Sequence, residues 1–276
     1  APNCTVTTAR CMVYGAVING HCLKSCDVRQ AYTFGTADKR CFVKCPPGTK
    51  EGRKLYSELV QMLTTKFELG DDGYQDCTDF IGMHLEFNDN RSAVQITQPL
   101  KIHELIDDAG LISCKPAFTP GVPNTLVSDL ECPAEDDQEQ LAFMKDKPFK
   151  KRCGQLLWLA RSSRPEIIYQ VNALSRVAHN PGKAHWDAST HIIRYLSHTR
   201  DMGLVYRRPD SIPTGPTIWS DATWAPDYGT YYDNYRSTTG YAISGNADGS
   251  NLLSWTANRQ PIVALSSSES EWYAAS

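Results

Sequence analysis

The sequence predicts an α+β chain in which strands and helices occupy separate blocks instead of alternating. Three observations carry this. Helical apolar spacing fills residues 153–197, strand-like runs follow Gly203, and an alternating hairpin pattern occupies residues 80–97 ahead of both.

In chain order, Thr8 to Asn19 reads as a helix and Leu23 to Val28 as a strand. Lys54 to Phe67 reads as a second helix, broken by Gly70-Asp71-Asp72-Gly73. Phe80 to Phe87 and Ser92 to Thr97 flank the polar turn Asn88-Asp89-Asn90-Arg91, a hairpin signal. Ile102, Leu105, Ile106 and Ala109 mark one helix face that ends at Gly110. Phe118 to Pro148 carries Pro120, Pro123, Pro133 and Pro148 with few periodic apolar residues, and is predicted irregular. Helices follow over Cys153 to Arg161, Pro165 to Ala178 and Lys183 to Ser197; Pro165 stands where a first-turn proline belongs. The period then changes to strands at Leu204 to Tyr206, Thr217 to Ser220, Ser237 to Ser244 and Leu252 to Thr256. Ser266, three residues before Glu269, has the spacing of a capping box and opens a last helix.

The chain has 276 residues, 41% of them hydrophobic and 21% charged, enough for a sizeable core. No apolar run approaches membrane-spanning length and the first residues lack a signal-peptide pattern, so the expectation is an intracellular chain, cytoplasmic or nuclear, with no membrane partner. Seven of the ten cysteines fall in the first 77 residues. Cys22, Cys26, Cys41 and Cys45 have spacings within the range of zinc thiolates. No tight knuckle occurs and the neighbours suit packed strands, so free thiols are the expected reading.

The net charge of −3 hides a polarised chain. Residues 68–146 hold 17 acidic and 4 basic side chains, a net −13; residues 150–208 hold 11 basic and 3 acidic, a net +8. The basic stretch interleaves Arg161, Arg164 and Arg194 with Trp158, Trp186 and Tyr195, the mixture that phosphates and stacked bases favour. Solvated faces of ordinary amphipathic helices would look the same. In "TIWSDATW", Asp221 ends an apolar strand, and Glu269 and Glu271 follow on the last helix. A carboxylate on a central strand and another on a nearby helix can hold magnesium between them, although a strand-end acid and a helix cap are also common without any metal.

Longer motifs resemble a known family. "GQLLWLARSSRPEIIYQVNALSRVAHNP" and "HWDASTHIIRYLSHTRDMGLVY" resemble the helical connection of the Copia-type retrotransposon Pol polyproteins. "WSDATWAPD", "RSTTGYAISG" and "LLSWTANRQPIVALSSSESEWYAAS" resemble the beginning of that family's ribonuclease H domain. "CDVRQAYTFG" and "VKCPPG" resemble the first catalytic strand of its reverse transcriptase and the segment after it, and "DFIGMHLEF" resembles the hairpin that grips the primer end.

The resemblance implies a partial reverse-transcriptase palm over residues 1–117, an acidic Pro-rich linker over 118–149, a basic helical connection over 150–202 and an incomplete ribonuclease H-like mixed β-sheet over 203–276. It implies magnesium as cofactor and an RNA/DNA hybrid or other nucleic acid as a weakly held partner. Asp27 would be the first metal-binding aspartate of the palm, and Tyr32 would screen the sugar of the incoming nucleotide. Phe80 and Gly82 would lie on the primer-gripping hairpin, and Arg161, Arg164 and Arg194 on the basic connection. Asp221 and Glu271 would be the first two ribonuclease H carboxylates, all three acids being catalytic and metal-binding. Glu269 then takes the capping role, since residues two apart on a helix point about 200° apart.

The sequence also departs from the family. No tyrosine-x-aspartate-aspartate hairpin occurs, and "PPGTKEGRK" runs almost directly into "LYSELVQMLTTKF", so the resemblance implies an internal deletion. It also implies that the chain stops inside the first ribonuclease H helix. Two readings follow: a degenerate, inactive reverse transcriptase with ribonuclease H, or a non-catalytic remnant that binds nucleic acid through residues 150–208.

Overall fold

The structure is a computed structural model that describes residues 5–20, 23–25, 61, 75–122, 127–210, 215–225 and 235–276. The described residues form an α+β arrangement in which every strand pairing is antiparallel. Apart from Gln61, which is helical, the expected helix at 54–67 and the break at 70–73 lie outside the described residues.

Helix α1 (Val6–Asn19) starts on Thr5, whose Oγ1 accepts from Thr8 N, and stops at Gly20, whose φ of 66° suits a residue without Cβ. Strand β1 (Lys24–Ser25) pairs with β2 (Gln75–Asp76). Four strands make the next sheet in the order β3 (Asp79–Phe80), β4 (Met83–Phe87), β5 (Ala93–Thr97), β6 (Leu204–Arg207). The turn expected at 88–91 is present: Asn88 Oδ1 accepts from Ala93 N at 2.9 Å and Asn90 Oδ1 from Ser92 N at 3.0 Å. The run expected as one strand from Phe80 is instead divided by a tight turn at Ile81-Gly82. Strand β6, grouped by the sequence with the C-terminal strands, pairs with β5, Ile96 opposite Leu204.

Helices α2 (Pro99–Ala109), α4 (Phe149–Ser162), α5 (Ile168–Arg176) and α6 (Lys183–His198) pack on each other through the apolar faces their spacing foretells. Ile102, Leu105, Leu156, Val171, Leu174 and Ile192 are all buried in this core. A second core joins α1 to the four-stranded sheet through Val13, Val17, Met83, Leu85, Ile96 and Tyr206. Trp255 packs against both cores and donates Nε1–H to Ala160 O at 2.8 Å.

The last sheet has the order β7 (Thr217–Thr223), β8 (Thr238–Ser244), β9 (Leu252–Arg259), with helix α7 (Ser267–Ala275) against β7 and β8. The expected mixed sheet is thus antiparallel throughout its described strands, since each strand pairs with its neighbour in chain order and runs opposite to it. Strand β7, expected to be central, is an edge of the sheet among the described residues.

The stretch read as irregular contains a 3-10 turn at Asp129–Glu131 and helix α3 (Gln138–Met144), which Asp137 caps by accepting from Gln140 N. Side-chain bonds fasten it to the start of α6. Asn180 Nδ2 donates to Pro133 O, and Lys183 N donates to Gln140 Oε1. His185 is buried; its Nε2 faces Ser128 O at 2.7 Å, so Nε2 carries the proton and Nδ1 accepts from Gly182 N at 2.8 Å.

Burial pushes the His185 imidazole below its ordinary value of 6.5, because the charged form is poorly solvated there. Its contribution to stability is whole above the unfolded value, declines as pH falls below that value and is gone below the depressed folded value. Thermal melts from pH 8 to pH 5 are expected to show a falling Tm in the wild type and a flatter profile, lower at pH 8, in His185→Gln. Equal pH slopes would show that other groups carry the acid sensitivity.

Candidate nucleic-acid interface

The β3–β4 hairpin closes in two residues. Ile81 (φ 51°) and Gly82 (φ 71°) both lie in the left-handed region, as a type I′ turn requires, and Phe80 pairs with Met83 across it. Glycine adopts this conformation readily, whereas a β-branched residue there costs about 1–2 kcal/mol. Packing and a hydrogen-bond relay hold the strained turn. Gln98 Nε2 donates to Gly82 O at 3.3 Å, and Ser163 Oγ, at the end of α4, donates to Gln98 Oε1 at 2.8 Å. Gln98 and Ser163 are each 1% exposed, so the relay fastens the turn rigidly to α4.

Trp158 of α4 faces Gly82, with its indole nitrogen 3.9 Å from where a Cβ on that glycine would stand. Arg161 follows three residues later, on the neighbouring part of the helix surface, and is exposed. An exposed backbone turn, an aromatic ring and a cation therefore occupy one region. Half-buried Phe80 adds a second ring beside the turn.

The other basic residues divide by burial. Arg164 is 1% exposed; it donates from Nε to Glu166 Oε1 at 2.7 Å and from its two terminal nitrogens to the Thr199 carbonyl and hydroxyl. Its guanidinium is taken up inside the fold, so it does not belong to a phosphate-facing surface as the spacing had suggested. Arg194 is half-buried and donates Nε–H to Lys115 O at 2.6 Å. Arg152 is buried, lies 3.5 Å over the Trp186 ring, and is pulled down to about 10 by desolvation, still protonated at neutral pH.

Asp221 lies on β7 opposite Gly240 and is exposed. The capping of α7 follows its sequence: Ser266 Oγ accepts from Glu269 N at 3.2 Å, and Glu269 Oε2 accepts from Leu265 N at 2.6 Å. Glu271 is exposed, one residue beyond Ser270, whose carbonyl accepts from Gln260 Nε2 and so pins α7 to the sheet. The elements that carry Asp221 and Glu271 are thereby brought side by side. Among the described residues no three acidic, histidine or cysteine side chains cluster to hold a metal ion.

Asp27 and Tyr32 lie outside the described residues, as do Cys22, Cys26, Cys41 and Cys45. Cys11, Cys77, Cys114, Cys132 and Cys153 form no disulfides, and burial raises the Cys153 thiol to about 11, far from thiolate reactivity. No described helix is long and apolar enough to cross a membrane. The Gln98–Ser163 relay had no signal in the spacing, since its partners are 65 residues apart.

The chain is similar to the retrovirus-related Pol polyprotein from transposon TNT 1-94 of Nicotiana tabacum, with 30% identity over 80% of this chain and 16% of that protein. It is similar to the retrovirus-related Pol polyprotein from transposon RE2 of Arabidopsis thaliana at 28% identity, over 79% of this chain and 14% of that protein. An uncharacterized mitochondrial protein of Arabidopsis thaliana shares 29% identity, over 82% of this chain and 85% of its own length. The chain thus spans about a sixth of the TNT 1-94 polyprotein. No family model matches the chain, and no solved structure matches it.

Proposed function

We propose that this chain, which belongs to the Copia-type retrotransposon Pol polyprotein family, holds an RNA/DNA hybrid through the β3–β4 turn and α4 without synthesising DNA. In this reading the β3–β6 sheet is part of a reverse-transcriptase palm, and β7–β9 with α7 are part of a ribonuclease H-like fold. The observation that carries it is the Ile81-Gly82 turn clamped to α4 above Trp158, with Arg161 beside it. Backbone amides, an aromatic face and one cation are the groups that grip a nucleic-acid end without reading its sequence.

Polymerisation has no complete site in this sequence, because the tyrosine-x-aspartate-aspartate motif is absent. Magnesium, the cofactor the resemblance implies, would find Asp221 and Glu271 on adjacent elements without a third described ligand. Two exposed carboxylates do not fit a cation that gives up its water reluctantly, and no metal-dependent step is assigned to them.

Filter binding of an RNA/DNA hybrid across a salt series tests the reading. The expected result is weak, salt-sensitive binding, with Arg161→Gln lowering the slope of log K against log salt by about 0.9, one phosphate contact. An unchanged slope would remove α4 from the interface. Arg164 is left intact in this test, since its loss would disturb the fold and confound the comparison.

A further inference from the structure

Helix α3, the start of α4 and the loop before α6 border an open cleft of about 350 Å³ in which two kinds of surface meet. The floor is apolar. Leu141, Met144, Ala178 and Pro181 line it half-buried, and Met144 and Ala178 also pack against the helical core, which fixes their positions. The rim is basic, from Lys145, Lys147, Lys150, Lys151 and His179. No carboxylate lines the cleft.

The acids nearby leave part of this charge unanswered. Lys151 pairs with Asp108 at 2.7 Å, and that carboxylate stands outside the lining. Lys147 is held by two rings, its Nζ 4.1 Å from the centre of Phe143 and 4.8 Å from that of Trp186. Lys145 and Lys150 are exposed and make no ion pair among the described residues, and Asp146 lies outside the lining. Charges of one sign gathered over an apolar wall reinforce one another's field, so a carboxylate that enters the cleft is drawn to its rim.

We infer that this cleft docks an acidic segment of a partner protein, which seats one aliphatic side chain on the floor and sets its flanking carboxylates against Lys145 and Lys150. Charge complementarity selects the acids. Lysine is a point charge that accepts a carboxylate in many orientations, and its aliphatic stem lengthens the apolar wall beside the floor. Because the cleft is open, an extended chain can run through it, whereas a small molecule would keep much of its surface in water. A polynucleotide gains less here. Phe149, the one phenyl ring of the lining, is 3% exposed and offers no face to a base. Phe143 stands outside the lining with Lys147 already on its ring, and an aliphatic floor gives nothing to a phosphate. The inference does not rest on the hybrid reading, whose test is Arg161.

Fluorescence anisotropy at low salt, with a labelled peptide in which glutamates flank a central leucine, tests it on the whole chain. The wild type is expected to bind this peptide, and to bind the same peptide with serine in place of leucine about 10-fold more weakly, the effect of burying one leucine. Lys145→Gln with Lys150→Gln is expected to weaken the leucine peptide about 5-fold and to flatten its salt dependence. Both lysines are exposed and outside any ion pair among the described residues, so the double variant keeps the fold. A wild type that binds no acidic peptide overturns the inference, as does equal binding of the leucine and serine peptides or an unchanged affinity in the double variant. A deoxythymidine oligomer of equal charge that displaces the peptide at a lower concentration than the unlabelled peptide does would assign the cleft to polynucleotides and overturn it as well.

Discussion

Replacing Arg10 with methionine is expected to lower the free energy of unfolding by about 3 kcal/mol or more, read from urea denaturation. Arg10 is 3% exposed and is the one charged residue of α1. Its Nε donates to Leu253 O at 2.8 Å, its Nη1 to the carbonyls of Arg161 and Ser162, and its Nη2 to Thr7 Oγ1. The guanidinium also lies 3.8 Å over the Trp255 ring. One side chain thus joins α1, the end of α4 and β9, the three elements that meet where the two cores touch. Methionine fills the volume but leaves three carbonyls without these donors, each of which otherwise gains a charge-assisted bond. Arg10→Lys keeps a charge, pushed down by the same burial, yet lacks the planar fork that reaches separate acceptors; it is expected to recover less than half of the loss. A loss below about 1 kcal/mol for Arg10→Met would show that the network is replaced by water and does not bind the modules together.

Gly203→Ala is expected to cost about 3 kcal/mol, because the added methyl would stand inside the Ile96 carbonyl oxygen and 2.9 Å from the Ile96 carbonyl carbon. Backbone atoms of β5 cannot swing aside as a side chain can, so β6 must move away and the Ile96–Leu204 pairing weakens. The control is the same change at Gly154, where nothing lies within 4 Å on the exposed face of α4; alanine there is expected to stabilise the helix by about 0.5–1 kcal/mol. Opposite signs at the two sites identify the clash. A Gly203→Ala protein as stable as wild type would mean that β6 contributes little to the sheet.

Local structure was largely legible because its causes lie within a few residues. Ser266 and Glu269 announce the cap of α7, and both make the bonds the spacing requires, although Glu269 reaches back to Leu265 and not to Ser266 itself. The faces Ile102, Leu105, Ile106 and Ile167, Val171, Leu174 are buried as their period demands. The acidic stretch before α4 reads as irregular from its prolines, yet it holds a 3-10 turn and helix α3. Its order comes from contacts with α6, such as His185 on Ser128, that proline content does not reveal.

The candidate site was legible in kind and not in detail. The motif around Phe80 and Gly82 pointed to a hairpin, and Trp158 with Arg161 pointed to a basic helical partner; that these meet is a property of packing. Counting arginines overstated the basic face. Arginine has a long apolar stem and a head that can satisfy several carbonyls, so spacing alone does not tell Arg164, taken up by Glu166 and Thr199, from exposed Arg161.

The sequence by itself determined the α+β class, most helix and strand positions, the caps and turns, and the family, because each depends on neighbours along the chain or on motif identity. Only the tertiary structure decided that β6 joins β5 across more than 100 residues, that Arg10, Arg152 and Arg164 are interior ties, and that lysines from either side of Pro148 share a cleft with His179. Those outcomes are set by competition among many distant faces for one core, and a pattern read a few residues at a time does not rank such alternatives.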